Sequence, residues 1–346
     1  MLEKDKERGE KMSIRRNEIC PCGSGKKFKN CCINDPKYNA TQLNNGIPRK
    51  YMSEFALHTY SSQVTLVYPK MLETVDVSKH AYHIYMINKI KRLSYVQDSI
   101  KVLDTYIEVQ IKHGATSIDK IETITVPLNE KFVGYEFESD KLLLLKDGYG
   151  GGVKLDVLWL YSKYSRKSLE CEIIYIGQSY GKMGDRDALK RLKSHETLQK
   201  VMADILYDDI NFEIAITLWE FTPRLLHSID GRNGYQVTED EDRQHMQKVL
   251  SAPPLIIDNQ IINVTEAALI NYFKPKYNVD FVNNFPDVKH KGYTFYYNYD
   301  YNGITVELDP SCVNIKIHSE HTGYNQFSPV KYLLSSEEKR QSMFVF

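Results

Sequence analysis

The sequence predicts an α+β protein whose central part is a small mixed or antiparallel sheet flanked by helices. Two observations lead to this prediction. Between residues 157 and 273, segments typical of strands and helices follow one another in the order strand, strand, helix, strand, helix. Nearer the N-terminus, four of the six cysteines lie within residues 20–32, which indicates a separate small module.

The composition limits the classes of protein to which the chain can belong. Its 346 residues suffice for two or three folded units. The formal net charge is zero, so a polyanion would have to be bound by local basic patches. No apolar run is long enough for a membrane helix, and the charged start lacks the apolar core of a secretory signal. We therefore expect a cytoplasmic protein without a membrane partner.

Along the first half of the chain we expect a disordered segment, then a helical segment, and then β structure. Residues 1–16 alternate charges with little to bury, which is typical of disorder. Residues 48–150 form a region of unknown role, helical first and then β. Apolar residues recur at helical spacing in two runs, which predicts two helices between residues 69 and 114: Tyr82, Tyr85, Met86, Ile90 and Leu93, then Ile100, Val102, Leu103, Tyr106 and Ile107. Residues 126–145 are typical of strands, and the Gly-rich stretch 147–152 favours a domain boundary.

Residues 153–282 are predicted to form the central domain. Its first two strands, 157–161 and 172–177, are expected to pair as a hairpin. A helix over 187–206, a strand over 212–219 and a helix over 265–273 follow, the last ended by Pro275. We treat residues 223–260, with a helix near 243–250, as an insertion, and residues 283–346 as a β-rich extension.

The cysteine cluster has the spacing of a structural zinc site. Four thiolates at compact spacing can close a tetrahedral Zn²⁺ site with no open position for catalysis: Cys20, Cys22, Cys31 and Cys32. The Gly-Ser-Gly turn between the two pairs lets the chain fold back. The alternatives are a redox-sensitive thiol group or a disulfide pair, although adjacent cysteines are awkward to bridge to each other.

The run C-P-C-G-S-G-K-K-F-K-N-C-C within residues 18–33 resembles the zinc-binding SEC-C motif. With its flanking residues we take the module as 17–34. Such a module forms the zinc tail of the preprotein translocase ATPase and is appended to varied enzymes. The resemblance therefore implies structural zinc and docking to a protein partner, without naming that partner.

Three further motifs follow in this order: Y-I-G-Q-S from residue 175, R-L-K-S-H from residue 191, and E-A-A-L-I-N-Y-F-K-P-K-Y-N from residue 266. This order resembles the GIY-YIG endonuclease domain over residues 155–280. The family is named for two strand motifs, followed by an arginine on one helix and a glutamate on a later one. The second motif is Tyr175-Ile176-Gly177, and the nearest equivalent of the first is Trp159-Leu160-Tyr161.

The resemblance implies a role for each matching residue. Tyr161 or Tyr175 would be the base or orient the attacking water, Arg191 would clamp the phosphate, and Glu266 would bind one Mg²⁺ or Mn²⁺. The remaining residues would complete the site or contact the substrate: His195, Asn278, Gly177, Ser179, Lys182, Lys190 and Lys193.

Structural roles are the competing interpretation of these residues. The chain has 25 tyrosines, most of which must serve packing, and Glu266 could close a capping box with Asn263. We expect a metal-dependent endonuclease that cleaves nucleic acid, DNA rather than RNA because most of the family cuts DNA. The alternatives are an inactive scaffold that binds nucleic acid or protein, and a chaperone adaptor that acts through the SEC-C module.

Overall fold

The computed structural model describes residues 16–20, 24–32, 49–76, 78–116, 120–128, 131–178, 192, 196–229, 236–254, 256–325 and 328–334. The strands are β1 (Ser53–Val67), β2 (Ile84–Lys91), β3 (Leu93–Tyr95), β4 (Lys101–Val102), β5 (Tyr106–His113), β6 (Ile121–Pro127), β7 (Gly134–Ser139), β8 (Leu142–Lys146), β9 (Gly152–Asp156), β10 (Leu169–Gln178), β11 (Phe212–Ile229), β12 (Gly303–Leu308), β13 (Ile315–Ser319), β14 (Thr322–Asn325) and β15 (Ser328–Leu333). The α-helices are α1 (Val157–Tyr164), α2 (Glu196–Asp208), α3 (Glu239–Ser251), α4 (Asn259–Phe273) and α5 (Thr294–Asn298). The predicted mixture of sheets and helices is confirmed.

The described strands form three sheets. The largest has eight strands in the order β14-β13-β10-β2-β11-β1-β12-β15. A second sheet contains β3, β4, β5 and β6, and a third contains β7, β8 and β9. The strands of the segment predicted to be β-rich, beyond residue 283, join the large sheet, where β12 lies parallel to β1 and β13 lies parallel to β10. This segment therefore completes the large sheet.

The chain divides into two compact units, residues 1–55, 227–252 and 335–346 in one and residues 56–226 and 253–334 in the other. In the first unit α3 confirms the helix predicted near residues 243–250, and Thr238 and Glu241 cap it reciprocally. The predicted disordered segment 1–16 lies outside the described residues except for Arg16. Among the helices that the structure describes, none is long and apolar enough to cross a bilayer.

One face of the central strands carries the apolar core of the larger unit. Ile214, Ile216 and Leu218 of β11 are buried together with Tyr85 and Ile87 of β2, and the partly buried Phe212 packs against them. The strand predicted over residues 212–219 is therefore confirmed. Helix α2 covers this face with a second set of buried residues: Leu198, Val201 and Ile205.

The two helices predicted between residues 69 and 114 are wrong. This stretch contains a 3₁₀ helix at Pro69–Thr74 followed by β2, β3, β4 and β5. Strand β2 is covered on both faces, so Ile84, Tyr85, Met86 and Ile87 are all buried. A strand buried on both faces loses the two-residue alternation that distinguishes strands from helices in sequence. The apolar spacing of three and four residues was therefore a coincidence.

The strand predicted over residues 157–161 is also wrong, because these residues begin α1. Asp156 caps this helix by accepting hydrogen bonds from the backbone N–H groups of Leu158 and Trp159. The predicted hairpin with residues 172–177 does not form. Strand β10 confirms the strand predicted there, but its antiparallel partner is β2. A β-bulge in β10 lies between Ile173 and Tyr175.

The later helices agree better with the sequence. Leu192 is helical and α2 covers residues 196–208, which confirms the described part of the predicted helix 187–206. The helix predicted over 265–273 is confirmed and begins earlier, at Asn259, with Asp258 as its N-cap. The alternative capping box between Asn263 and Glu266 is therefore wrong, because both residues lie inside α4.

A buried ion pair stabilises the turn between β7 and β8. The Lys141 Nζ lies 2.6 Å from Glu213 Oε2 and also donates to the Leu93 carbonyl. Glu213 in addition accepts from the Tyr68 hydroxyl at 2.7 Å and from the Leu93 N–H at 2.9 Å. Burial lowers the pKa of Lys141, while the Glu213 charge raises it. The pair is therefore held by a complete set of hydrogen bonds.

We expect Lys141→Met to destabilise the protein by about 3 kcal/mol, because it leaves the Glu213 carboxylate buried without its cation. Lys154→Met is the matched control, since its ion pair with Glu138 is exposed and such pairs contribute about 0–1 kcal/mol. Urea unfolding at neutral pH measures both variants. Equal losses in the two variants would contradict the assignment of the buried pair.

Candidate functional site

Two tyrosines stand side by side where β2 pairs with β10. The antiparallel register places Gly177 opposite Tyr85 and Tyr175 opposite Ile87, so Tyr85, Tyr175 and Gly177 share one face of the sheet. The ring centroids of Tyr85 and Tyr175 are 5.9 Å apart. Tyr85 is buried and Tyr175 is partly buried. The two phenols are therefore neighbours on a rigid pair of strands.

Gly177 makes room for this pair of phenols. A Cβ atom on Gly177 would lie 2.6 Å from both the Cζ and the hydroxyl oxygen of Tyr85, and 2.9 Å from Cε1 of Tyr175. Any side chain at this position would therefore displace the Tyr85 ring. The resemblance implies that Gly177 helps to complete the site or contacts the substrate; in the structure, the group that lies against Gly177 is the Tyr85 ring.

Glu266 lies on α4 beside the end of β10. The Gln178 Nε2 donates to Glu266 Oε2 and to Asn263 Oδ1, each at 2.6 Å. Burial raises the pKa of Glu266 to about 7, Gln178 lowers it by hydrogen bonding, and the charge of Asp280 raises it further. Among the described residues, no lysine, arginine or histidine forms an ion pair with Glu266. This carboxylate therefore ionises only near neutral pH.

The electrostatic state of Tyr175 is coupled to that of Glu266. Burial raises the pKa of Tyr175, a hydrogen bond with Tyr85 lowers it, and the charges of Glu266 and Asp280 raise it again. Tyr175 therefore remains a neutral phenol near pH 7. A cation placed beside Glu266 would oppose these charges and make the phenol more acidic.

Asn278 fixes the backbone of β10 next to Gly177. Its Oδ1 accepts from the Ile176 N–H and its Nδ2 donates to the Ile176 carbonyl, both at 2.9 Å. The Tyr277 N–H donates to the Ile174 carbonyl at 3.0 Å. The segment after α4 thus pairs with β10 beyond the point where β13 stops. The amide of Asn278 is committed to positioning the strand.

The structure brings Tyr175, Gly177, Glu266 and Asn278 to the same end of β10, but it does not bring Tyr161 there. The Tyr161 hydroxyl donates to Glu122 Oε2 at 3.4 Å, and its ring meets the His113 ring edge-on at 5.1 Å. Burial raises the pKa of Tyr161 to about 12. The described contacts of Tyr161 include none of the four residues above.

Sequence reasoning missed Tyr85. The signal was present as His83-Ile84-Tyr85, a short run with an aromatic residue at its end. It was overlooked because the apolar spacing around it imitated a helix, and a helix would not pair with the strand of Tyr175.

The other predicted site residues lie outside the described part of the chain: Ser179, Lys182, Lys190, Arg191, Lys193 and His195. Leu192, the residue after Arg191, is described. It is buried in the same apolar cluster as Tyr85, Leu198 and Val201.

A second cluster contains the N-terminal thiols. The Sγ atoms of Cys20, Cys31 and Cys32 all lie within 4.8 Å of one another. The backbone folds back so that the Cys20 N–H donates to the Lys26 carbonyl and the Phe28 N–H to the Glu18 carbonyl, each at 2.8 Å. None of the described cysteines forms a disulfide. The predicted ligand Cys22 lies outside the described residues.

The geometry of these thiols fits a zinc ion. Four thiolates at about 2.3 Å from Zn²⁺ in a tetrahedron have sulfurs about 3.8 Å apart. The sulfurs of Cys31 and Cys32 are 3.7 Å apart, so adjacent cysteines can bind the same ion. Cys20 and Cys32 are buried against Phe28, which shields this side of the cluster from water. The cluster can therefore hold a metal ion such as zinc.

Comparison with known proteins agrees with this geometry. Residues 16–34 match the SEC-C motif. This segment is a SEC-C motif. Over 17 residues the chain is 94% identical to the protein translocase subunit SecA of Clostridium beijerinckii, a stretch that covers 5% of this chain and 2% of that protein. No solved structure matches the chain. The likeness to SecA thus covers only a short stretch of this chain, and the SEC-C match, residues 16–34, does not include Glu266.

We expect the SEC-C motif to bind one zinc ion per chain. Cys20→Ser should lose this zinc, because the variant removes a buried thiolate from the tetrahedron. Cys312→Ser should retain it, because Cys312 lies outside the cluster. Native mass spectrometry, with elemental analysis of the same samples, measures the stoichiometry. Full zinc in the Cys20→Ser variant would contradict the site.

We expect Glu266→Gln to stabilise the protein above about pH 7 in the absence of divalent cations. Below the ordinary pKa of 4.5 the buried carboxyl is neutral and carries no penalty. As the pH rises to about 7 the folded form must ionise a buried group, so the wild type loses up to about 3 kcal/mol relative to the variant.

Thermal unfolding from pH 4 to pH 8 in EDTA measures this difference. The gap between the two proteins should be absent at the acid end and greatest at the alkaline end. Glu320→Gln, in the turn between β13 and β14, is the control and should follow the wild type throughout. A pH-independent gap for Glu266→Gln would contradict the raised pKa.

Proposed function

We propose that this chain is a metal-dependent endonuclease of the GIY-YIG type, with a SEC-C zinc module at its N-terminal end. One observation carries the proposal. Two phenols are paired across β2 and β10, and the Glu266 carboxylate lies close enough to raise the pKa of Tyr175. A phenol pair beside a poorly solvated carboxylate is suited to activating water and binding a cation.

The order of the elements supports the proposal. The three central strands lie in the order β10-β2-β11. Helix α2 lies between β10 and β11 in sequence, and α4, which carries Glu266, follows β11. Two strand motifs, a first helix and a later helix with a glutamate make up the order that the GIY-YIG resemblance implies.

We infer that Tyr85, in His83-Ile84-Tyr85, is the tyrosine of the first motif, in the place that the sequence analysis assigned to Tyr161. Tyr85 lies opposite Gly177 of the second motif on the neighbouring antiparallel strand. Residues 86–174 then lie between the two motifs in sequence, whereas Tyr161 is much closer to Tyr175 along the chain.

The chemistry of Glu266 fits a divalent cation. A partly buried carboxylate without an ion-pair partner among the described residues is costly in its charged form, and a bound cation removes that cost. A bound Mg²⁺ or Mn²⁺ would supply charge neutralisation at the scissile phosphate. Because the ion requires an ionised carboxylate, its binding should strengthen as the pH rises through about 7.

The chain's own residues would then have separate roles in the reaction. The Tyr85–Tyr175 pair would orient the attacking water, and Asn278 holds β10 in place beneath it. Arg191 is proposed as the phosphate clamp on the resemblance; the next residue, Leu192, is buried in the same apolar cluster as Tyr85. The remaining residues are proposed to complete the site or contact substrate: His195, Ser179, Lys182, Lys190 and Lys193.

We infer that the substrate is DNA rather than RNA, on the resemblance alone, and that the protein works in the cytoplasm. The clustered thiols, which form no disulfide among the described residues, favour a reducing compartment. The SEC-C motif is proposed to dock a protein partner. A catalytically inactive scaffold or adaptor is the second candidate, favoured by the zero net charge and by the SEC-C match.

A nicking assay separates these candidates. With supercoiled plasmid and Mg²⁺, we expect Tyr85→Phe, Tyr175→Phe and Glu266→Gln each to lower the cleavage rate by about a hundredfold or more. Tyr161→Phe is the matched control and should retain the wild-type rate. EDTA should abolish cleavage, and an RNA substrate of the same sequence should be cut more slowly.

Two results would contradict the proposal. Loss of activity in Tyr161→Phe with retention in Tyr85→Phe would reject Tyr85 as the first tyrosine. Binding of DNA by the wild type without cleavage under any metal would favour the scaffold.

A further inference from the structure

A basic cleft of about 830 Å³ lies in the larger unit, at the other end of β2 and β10 from the phenol pair. Its cations come from four parts of the fold: Lys91 at the end of β2, Lys120 before β6, Arg166 and Lys167 before β10, and Lys316 in β13. His113, Glu122 and Glu170 also line it. The five Lys and Arg side chains and two carboxylates give a local formal charge of +3.

Contacts within the protein engage the carboxylates of the cleft more than they engage its lysine and arginine side chains. Glu122 Oε1 accepts from the Ser165 hydroxyl at 2.6 Å, and Oε2 lies 3.8 Å from the Lys167 Nζ. Burial lowers the pKa of His113, so this residue adds no charge at pH 7. Within the described residues, Lys120, Arg166 and Lys316 form no ion pair. Three cations therefore face the cleft without a partner from the described chain.

The cleft is set at a fixed distance from the phenols. Lys91 follows Tyr85 by six residues on β2, whose register with β11 is unbroken, so both side chains belong to the same face of the sheet. At about 3.3 Å per residue, six residues span about 20 Å. The rise along one DNA strand is about 3.4 Å per base pair, so this span equals about six base pairs.

We propose that this cleft binds the phosphodiester backbone of the same nucleic acid, about six base pairs from the bond that is cut. This inference rests on the proposed nuclease function and names a second contact for its substrate. Cations from the end of β2, from the residue before β6, from the loop before β10 and from β13 suit phosphates, because sequence-independent contacts of this kind position a duplex without reading its bases. They also explain how a chain of zero net charge can hold a polyanion.

The test compares two triple variants that each remove three positive charges. The cleft variant is Lys120→Gln/Arg166→Gln/Lys316→Gln. The matched control is Lys101→Gln/Lys146→Gln/Lys154→Gln, whose lysines form surface ion pairs on other strands. Both are made in a Glu266→Gln background so that DNA is bound and not cut. Fluorescence anisotropy measures the Kd for a labelled duplex of about 30 base pairs, at several salt concentrations without metal.

We expect the cleft variant to weaken binding by roughly tenfold or more, and to reduce the slope of log K against log salt by about 2 to 3. The control should change Kd by less than about twofold, since its cations lie away from the path of the duplex.

Two other results are distinguishable. If the Glu266→Gln protein binds the long duplex but the cleft variant binds as tightly as the control, the cleft proposal is wrong and the nuclease proposal stands. If no form binds nucleic acid, the nuclease proposal fails and the cleft proposal fails with it. Circular dichroism of both triple variants checks that each is folded.

Discussion

The antiparallel pairing of β2 with β10 is the interaction on which the rest of the candidate site depends. This register sets Gly177 opposite Tyr85, and only a residue without a Cβ leaves space there for the phenol ring. A shift by one residue would turn Tyr85 to the other face of the sheet. The pairing is held on the far side of β10 by Asn278, which occupies both backbone hydrogen-bonding groups of Ile176.

Electrostatics at this end of β10 follow from the packing of α4. The helix carries Glu266 to the strand, where Gln178 donates to the carboxylate at 2.6 Å while burial raises the pKa to about 7. A carboxylate in this state has two stable conditions near neutral pH: protonated, or ionised beside a cation. The same charge raises the pKa of Tyr175, so the phenol and the carboxylate respond together to any bound ion.

The SEC-C motif is shaped by contacts between residues close in sequence, unlike the large sheet. Its ligands are close in sequence, and short backbone contacts such as Cys20 to Lys26 set its shape. Adjacent sulfurs at 3.7 Å match a tetrahedral zinc site without help from a large core. A metal ion bound there would take the role that apolar burial plays elsewhere in the chain, and a module of this kind can be attached to many proteins.

The sequence by itself determined the features that depend on local chemistry. The spacing of the cysteines predicted the metal cluster, Pro275 predicted the end of α4, and the residues from Phe212 onward predicted the strand β11. The motifs at Tyr175 and Glu266 also identified residues that the fold brings to one end of β10. Each of these signals arises from a few neighbouring residues, so no knowledge of distant contacts was needed.

Only the tertiary structure decided which strands pair, and hence which tyrosine stands beside Tyr175. A helix over residues 82–93 and a strand over 157–161 were both wrong. The first segment is a strand buried on both faces, which has no alternation, and the second is a short apolar run whose capping by Asp156 makes it helical. Pairing between residues 85 and 177 depends on contacts made by neighbouring strands and helices, and a periodicity within one segment carries no information about its partner.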